Sequence, residues 1–226
     1  MSLELGGKSP MIVCEDADLD QAAAAAQLGL FLNSGQCCIA SSRIYVHAAV
    51  YDAFVAKCKE KSQAAGNWAE QPIVDKIQFD KVLGFIDAGK KDGATLISGG
   101  SRGADTGYFV QPTVFADVTD EMKIGKEEIF GPVMSLLKFT DLDDAIKRAN
   151  NTIYGLGAGI CSRDIGKVLR VANQLRAGTV YCNCWNVFDA AAPFGGFKSS
   201  GHGRELGDVG LDGYLENKTV IIPIDR

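Results

Sequence analysis

"MIVCEDADLDQAAAAAQLGLFLNSGQCCIASSRIYVH", residues 11–47, reads as strand, helix, strand. The apolar run Met11–Cys14 has the length and composition of a buried strand. Asp18 with Gln21 makes a capping-box-like opening, the alanines at 22–26 favour helix, and Gly35 is a natural stop. These signals predict a helix over 18–35. Residues 42–47, SRIYVH, return as a strand. Inside this unit sits an unusual pair, Cys37 and Cys38, just past the predicted helix end.

The alternation continues along the chain. Residues 49–65 carry Val50, Phe54 and Cys58 on one helical face, and a loop with Gly66 and Pro72 follows. A helix over 75–90 turns Phe79, Val82, Leu83 and Ile86 inward. Residues 94–100 and 107–118 read as extended, and 133–139 as a strand. Thr140 and Asp143 open a short helix with Leu142 and Ile146. A strand at 157–162, a helix at 164–175 with Ile165, Val168, Leu169, Ala172 and Leu175, and a strand at 178–184 complete the series. The fold class is α/β, a mainly parallel twisted sheet flanked by helices. In such sheets ligands gather at the carboxyl ends of the strands. The stretch YLENKTVIIPI, 214–224, reads as a terminal strand too apolar to stand uncovered, so a neighbour is expected to cover it.

Composition narrows the function. The chain has 226 residues, 46% hydrophobic and 23% charged, enough for a real core. A net charge of −5 gives no footprint for nucleic acid or an anionic membrane. No apolar run is long enough for a transmembrane helix, and MSLELGG is no signal peptide. The seven cysteines, at 14, 37, 38, 58, 161, 182 and 184, are odd in number and irregularly spaced. Reduced thiols in a cytosol-like compartment are expected, with no secretion. His47 and His202 are the only imidazoles and no C-x-x-C occurs, so no metal site is expected. Cys182 and Cys184, alternating along their strand, read as packing residues.

Four stretches carry chemistry. In LELGGKSP, 3–10, Glu4 lies between leucines, where desolvation would raise its pKa toward that of a general base. Gly6 and Gly7 permit close backbone approach. An exposed strand-end glutamate is the plain alternative. Gly-Gln-Cys-Cys, 35–38, follows a helix C-terminus, whose partial negative charge disfavours a thiolate. Taken alone it reads as core packing rather than as a nucleophile, which would need backbone donors, a nearby base or a bound cation. KEEIFGPV, 126–133, offers Glu127 or Glu128 to a sugar diol, or simply a solvated acidic pair. PFGGFKSSGHGRELG, 193–207, is a structured glycine-dense loop without the setting of a dinucleotide fingerprint.

Together and in this order, the four stretches strongly resemble the aldehyde dehydrogenase superfamily, closest to the branch of mitochondrial, cytosolic and retinal enzymes. The resemblance runs from residue 3 essentially to the end. It implies an NAD(P)-dependent oxidation of an aldehyde to a carboxylic acid, with Cys38 as the nucleophile that forms a thiohemiacetal and then a thioester, and Glu4 as the general base. The Cys38 backbone N–H would be one oxyanion donor. Glu128 and Phe130 would hold the nicotinamide ribose and ring, with Leu5 near the amide and Gln78 and Lys81 on the far side of the cofactor. Phe188 and Phe194 would wall the substrate funnel. Arg204, Glu205 and Glu216 would support a subunit interface in a homo-oligomer. The implied domains are a catalytic body, 1–212, and an oligomerisation strand, 213–226. The location implied is cytoplasm or mitochondrial matrix, and the partner a small-molecule aldehyde.

The amino-terminal half of such enzymes, with the cofactor loop and a second oxyanion donor, has no counterpart in the sequence. A catalytic fragment with little or no turnover by itself is expected. Two rivals remain: a cysteine hydrolase using Cys38 with His47 or His202, and a non-catalytic structural or interaction protein on the same fold.

Overall fold

A computed structural model describes residues 1–64 and 71–224. Gly66 of the expected loop and the last residue of the 49–65 helix lie outside the described residues, as do residues 225 and 226.

A seven-stranded sheet forms the body. Its strands are β2 (Pro10–Val13), β3 (Arg43–His47), β4 (Thr95–Ser98), β5 (Thr113–Ala116), β6 (Val133–Phe139), β7 (Gly157–Cys161) and β8 (Thr179–Cys182), in the order β4-β5-β6-β3-β2-β7-β8. Every pairing is parallel except β4 with β5. Helices α1 (Leu19–Phe31) and α2 (Tyr51–Gln63) cover one face. The other face carries α3 (Lys76–Lys91), α4 (Lys123–Lys126), α5 (Leu142–Asn150) and α6 (Ile165–Gln174). The α/β expectation holds.

Strand side chains explain the two layers. Met11 and Val13 of β2 face the first helix layer and Ile12 the second, and Ile44, Val46 and Tyr45 of β3 divide the same way. All are buried, so the strands read as continuous apolar runs because both faces are covered. Trp185, just after β8, is buried and donates from Nε1 to the Ile39 carbonyl (3.0 Å), tying the far edge of the sheet to the cysteine loop.

Several local expectations shift. Asp18 caps α1 as expected, accepting from the N–H groups of Asp20 and Gln21. The helix stops at Phe31, earlier than Gly35, because Asn33 and Ser34 take positive φ. The cap of α5 is Asp141, not Thr140, and its side chain accepts from the Asp144 N–H. Ile165 and Leu169 are exposed, since α6 buries only Val168 and Val171 against the sheet edge. Cys182 is exposed: β8 is an edge strand, and Asn183 at φ 55 ends the alternation that packing would need. The stretch 107–118 supplies only the short β5 and a bridge from Val110 to Arg102.

A small second ladder pairs β1 (Leu3–Glu4) antiparallel with β9 (Gly201–His202). Beyond a short 3-10 stretch at Asp208–Tyr214, residues 215–224 have no ladder partner among the described residues, and Val220, Ile221, Ile222 and Ile224 are exposed. The expected terminal strand has no ladder partner among the described residues.

Gly29, buried in α1, tests the packing of α1 on the sheet. A Cβ there would stand 2.6 Å from Ser41 Oγ and 2.7 Å from the Trp185 ring. Gly→Ala in a helix ordinarily gains up to about 1 kcal/mol, but overpacking costs about 1–3 kcal/mol. Gly29→Ala should therefore lower the urea midpoint; a raised midpoint would show that the Trp185 contact gives way easily.

Candidate active site

The loops that enter β2, β3 and β6 stand side by side because those three strands are neighbours in the sheet. They carry residues 3–9, 36–42 and 126–132, three of the four stretches singled out above. The fourth reaches the same place through β9. The site thus lies at the amino ends of the parallel strands, and the expectation of the carboxyl ends is corrected. The reason is the return path of α1, which begins beyond the carboxyl end of β2 and delivers Cys37 and Cys38 to the amino end of β3.

Gly7 is the junction. Its N–H donates to Glu128 Oε1 (2.9 Å), and a Cβ on Gly7 would overlap the Cys38 carbonyl oxygen. A Cβ on Gly6, at φ 90, would overlap the Glu128 carboxylate. Gly35, at φ 71, packs against the Gly131 carbonyl in the same way. Three backbones therefore meet at distances that only glycine allows. Gln36 adds a fourth segment: its side chain donates to the carbonyls of Asn33 and Pro72 and accepts from the Val74 N–H (2.9 Å).

Glu4 stands at the β1–β9 ladder opposite Gly201, and Leu5 N–H donates to the Ser200 carbonyl (2.8 Å). Leu3 and Leu5 are exposed, so the flanking leucines do not bury the carboxylate. Its pKa is nevertheless raised, by partial burial first and by the charge of Glu205 second. Glu4 in turn raises Cys38, as a lesser cause after the Cys37 hydrogen bond, burial and the Cys37 charge.

The two thiols act as a pair. A hydrogen bond from Cys38 holds the Cys37 thiol down to about 6, and the same bond, with burial and the neighbouring negative charge, pushes Cys38 up. One proton leaves easily and the second stays. Cys37 lines a small cavity with Glu128, Phe130 and Gly131. Cys37 is thus more than the silent neighbour that its place in the motif implies.

Glu128 is half-buried; burial raises its pKa, opposed by the Gly7 N–H and then by Lys81 and Lys8. Phe130 has φ 56, rare for an aromatic residue, and marks a strained turn. Gln78 fixes that turn by donating to the carbonyls of Ile129 (2.9 Å) and Phe130 (3.0 Å). Lys81, one helical turn on, is exposed and close enough to act on Glu128. Phe188 and Phe194 meet edge-on at 6.5 Å; Phe194 packs against the same buried cluster as Cys37 and Cys38, and Phe188 stays open to solvent. Arg204 donates to the carbonyls of Gly196 and Gly203 and lies over Phe197. Glu205 accepts from Ser2 Oγ (2.7 Å), while Glu216 is exposed in the unpaired tail.

The hydrolase reading loses its bases. His47 is at the carboxyl end of β3, about 15 Å of strand away from the cysteine loop. It caps Ala49 and packs on Phe139. His202 opens onto a different groove, with Ser2 and Leu206–Tyr214. Lys8, Arg43 and Tyr154 also surround the site, and no role was read for them from sequence; the signal was a lysine lodged inside an otherwise small-residue motif.

The chain belongs to the aldehyde dehydrogenase family, whose model matches residues 1–220. Human aldehyde dehydrogenase 1A1 is 53% identical over 233 aligned positions, covering 100% of this chain and 46% of that relative. The chicken 1A1 protein is 53% identical with the same coverage. The chain thus spans about half the length of the curated relatives it matches. The NAD+ complex of an aldehyde dehydrogenase from Bacillus cereus superposes with a TM-score of 0.94 at 48% identity, covering 99% of this chain and 47% of that one. Family and branch are those that the motifs implied.

Alkylation reports the state of the thiol pair. The iodoacetamide rate should rise through about pH 6 and level off, since a lowered pKa supplies thiolate above that pH. A rise centred near the ordinary thiol value of about 8.5 would show that the two sulfurs do not share a proton.

Proposed function

We propose that this chain is the catalytic half of an NAD(P)-dependent aldehyde dehydrogenase, with Cys38 as nucleophile and Glu4 as general base. The observation that carries this reading is the convergence at Gly7: one glycine touches the Cys38 backbone and holds the Glu128 carboxylate, two residues beyond Leu5 and three beyond Glu4.

The residues fit a nicotinamide cofactor. The bare Cα of Gly6 lets the Glu128 carboxylate lie against the loop, and the Gly7 N–H donates to Oε1. Glu128 would accept from the ribose hydroxyls, the strained Phe130 turn would flank the ring, and Gln78 would keep that turn in place. When bound, the nicotinamide supplies the hydride acceptor.

Cys38 Sγ attacks the aldehyde carbon. Cys37, hydrogen-bonded to it, takes up and returns the thiol proton. The Cys38 N–H steadies the oxyanion. After oxidation the acyl group remains on sulfur as a thioester. Glu4, whose raised pKa makes it a stronger base than a free carboxylate, then takes a proton from the water that releases the acid. Phe188 and Phe194 guide the aldehyde chain.

The chain by itself has one oxyanion donor in place, and loss of one donor costs on the order of 100-fold. Low NAD-coupled turnover by the 226 residues alone follows. The exposed apolar tail 215–224, together with Arg204, Glu205 and Glu216, is proposed to join a second copy in a homo-oligomer. Seven free cysteines suit a reducing compartment such as the cytosol.

An activated ester isolates the hydrolytic half-reaction without cofactor. The wild-type chain should be acylated on Cys38 and release the acid. Glu4→Gln should acylate but deacylate slower by roughly 100-fold or more, so that the adduct accumulates in the intact mass. Cys38→Ser should form no adduct. An adduct mapped to Cys37, or unchanged release in Glu4→Gln, would overturn the assignment.

A further inference from the structure

Arg43 takes no part in the chemistry above, yet it is a guanidinium only 2% exposed, at the start of the strand that follows the cysteine loop. Its Nε donates to the Lys8 carbonyl (3.0 Å), next in the chain to Gly7, and its Nη2 to the Ala149 carbonyl (2.9 Å) in the last turn of α5. A third donation, from Nη1, goes to Tyr45 Oη (3.0 Å). All three acceptors are neutral, and no carboxylate among the described residues is in ion-pair contact with Arg43.

A buried cation without a counter-charge is costly. Here the counter-charge comes at one remove. Tyr45, fully buried, donates from Oη to Asp120 Oδ1 (2.7 Å), and Asp120 also accepts from Arg148 Nε. The direction of this chain is forced. A carboxylate can only accept, so the Tyr45 proton points to Asp120 and the phenol lone pairs are left for Arg43. Burial raises the Tyr45 phenol above its ordinary value, against the pull of Arg43, so the proton stays on the ring oxygen. Each member of such a chain polarises the next. The ring does separate work: the guanidinium carbons of Arg43 and Arg148 lie 5.7 Å and 5.1 Å from its centroid.

We propose that Asp120 is a positioning residue for the active-site junction. Through Tyr45 it orients the Arg43 fork. The fork holds the Lys8 carbonyl, so that the Gly7 N–H stays on Glu128 and the Gly7 backbone stays against the Cys38 carbonyl. Gly7, with no side chain to resist rotation, is the link that would absorb any release at Lys8. Asp120 lies on the loop between β5 and α4, outside all four stretches that carry the chemistry. The consequence for acid release rests on the roles given above to Cys38 and Glu4; the consequence for the Gly7 amide does not.

The Gly7 amide is the reporter. In proton–nitrogen correlation spectra of the chain, Glu128→Gln should move the Gly7 resonance upfield, by removing the charge on its acceptor. Tyr45→Phe, which keeps the ring between the two guanidiniums, should move it the same way, and so should Asp120→Asn. The double variant should move it little further, since both changes break one chain. Glu121→Gln, beside Asp120 but paired with Lys126 at the surface, should leave it in place. Tyr45→Phe should also slow acid release from the Cys38 adduct of an activated ester about tenfold, part of the roughly 100-fold that a 1 Å misplacement costs.

An unmoved Gly7 resonance in Tyr45→Phe and Asp120→Asn overturns the proposal, as does an equal shift in Glu121→Gln. A moved resonance with unchanged acid release would leave Asp120 a merely structural residue and overturn it too. If Tyr45→Phe does not fold, Asp120→Asn decides on the same two readouts. Failure of the wild type to form any Cys38 adduct would instead count against the catalytic assignment, with the Gly7 resonance still deciding the role of Asp120.

Discussion

A single backbone position, Gly7, bears the constraint on which the rest of the site depends. Its N–H holds Glu128 and its missing side chain admits the Cys38 carbonyl. Any larger residue would separate the loop that carries Glu4 from the loop that carries the thiols. Gly6 and Gly35 repeat the device against Glu128 and Gly131. Three loops are thus held at contact distance by absent atoms, and this is why so much glycine sits beside these groups.

That arrangement has an electrostatic result. The helix that delivers the cysteines ends with its partial negative pole toward them, which opposes a thiolate. The opposition is met locally: two adjacent thiols share one proton, so the first ionisation is easy and the second is hard. The adjacency of Cys37 and Cys38, a poor geometry for a metal or a disulfide, is a good one for a stored thiolate. In the proposed mechanism Glu4 need not ionise Cys38, and its raised pKa suits the proposed role on the water that follows.

The neighbourhood of Glu128 is tuned by cations on two sides, the exposed Lys81 and the buried Lys8. Burial keeps Glu128 less acidic than a free carboxylate, and the Gly7 amide partly offsets that. The turn at Phe130 costs on the order of 1–3 kcal/mol in backbone strain, and Gln78 holds it with two hydrogen bonds. Strain kept in place by a helix from the opposite side of the loop is what a fixed ring-binding surface requires.

The sequence by itself determined the layers and pointed to the candidate site residues. Period-2 and period-3.6 patterns are local, so β2, α1, β3 and β6 were legible to within a few residues, and the motif resemblance named Glu4, Cys38 and Glu128. Boundaries slipped where single dihedrals decide, at Asn33, Ser34 and Asn183, because residues other than glycine give no advance sign of positive φ. Cys182 was misjudged because edge position is a property of strand order and not of the strand. Only the tertiary structure could decide that β6, β3 and β2 lie adjacent, which sends three entering loops to one place at the amino ends. Only it could show Lys8 buried without a partner, since burial and hydrogen bonding depend on α5, β3 and β7, segments distant in the chain that pairing brings together.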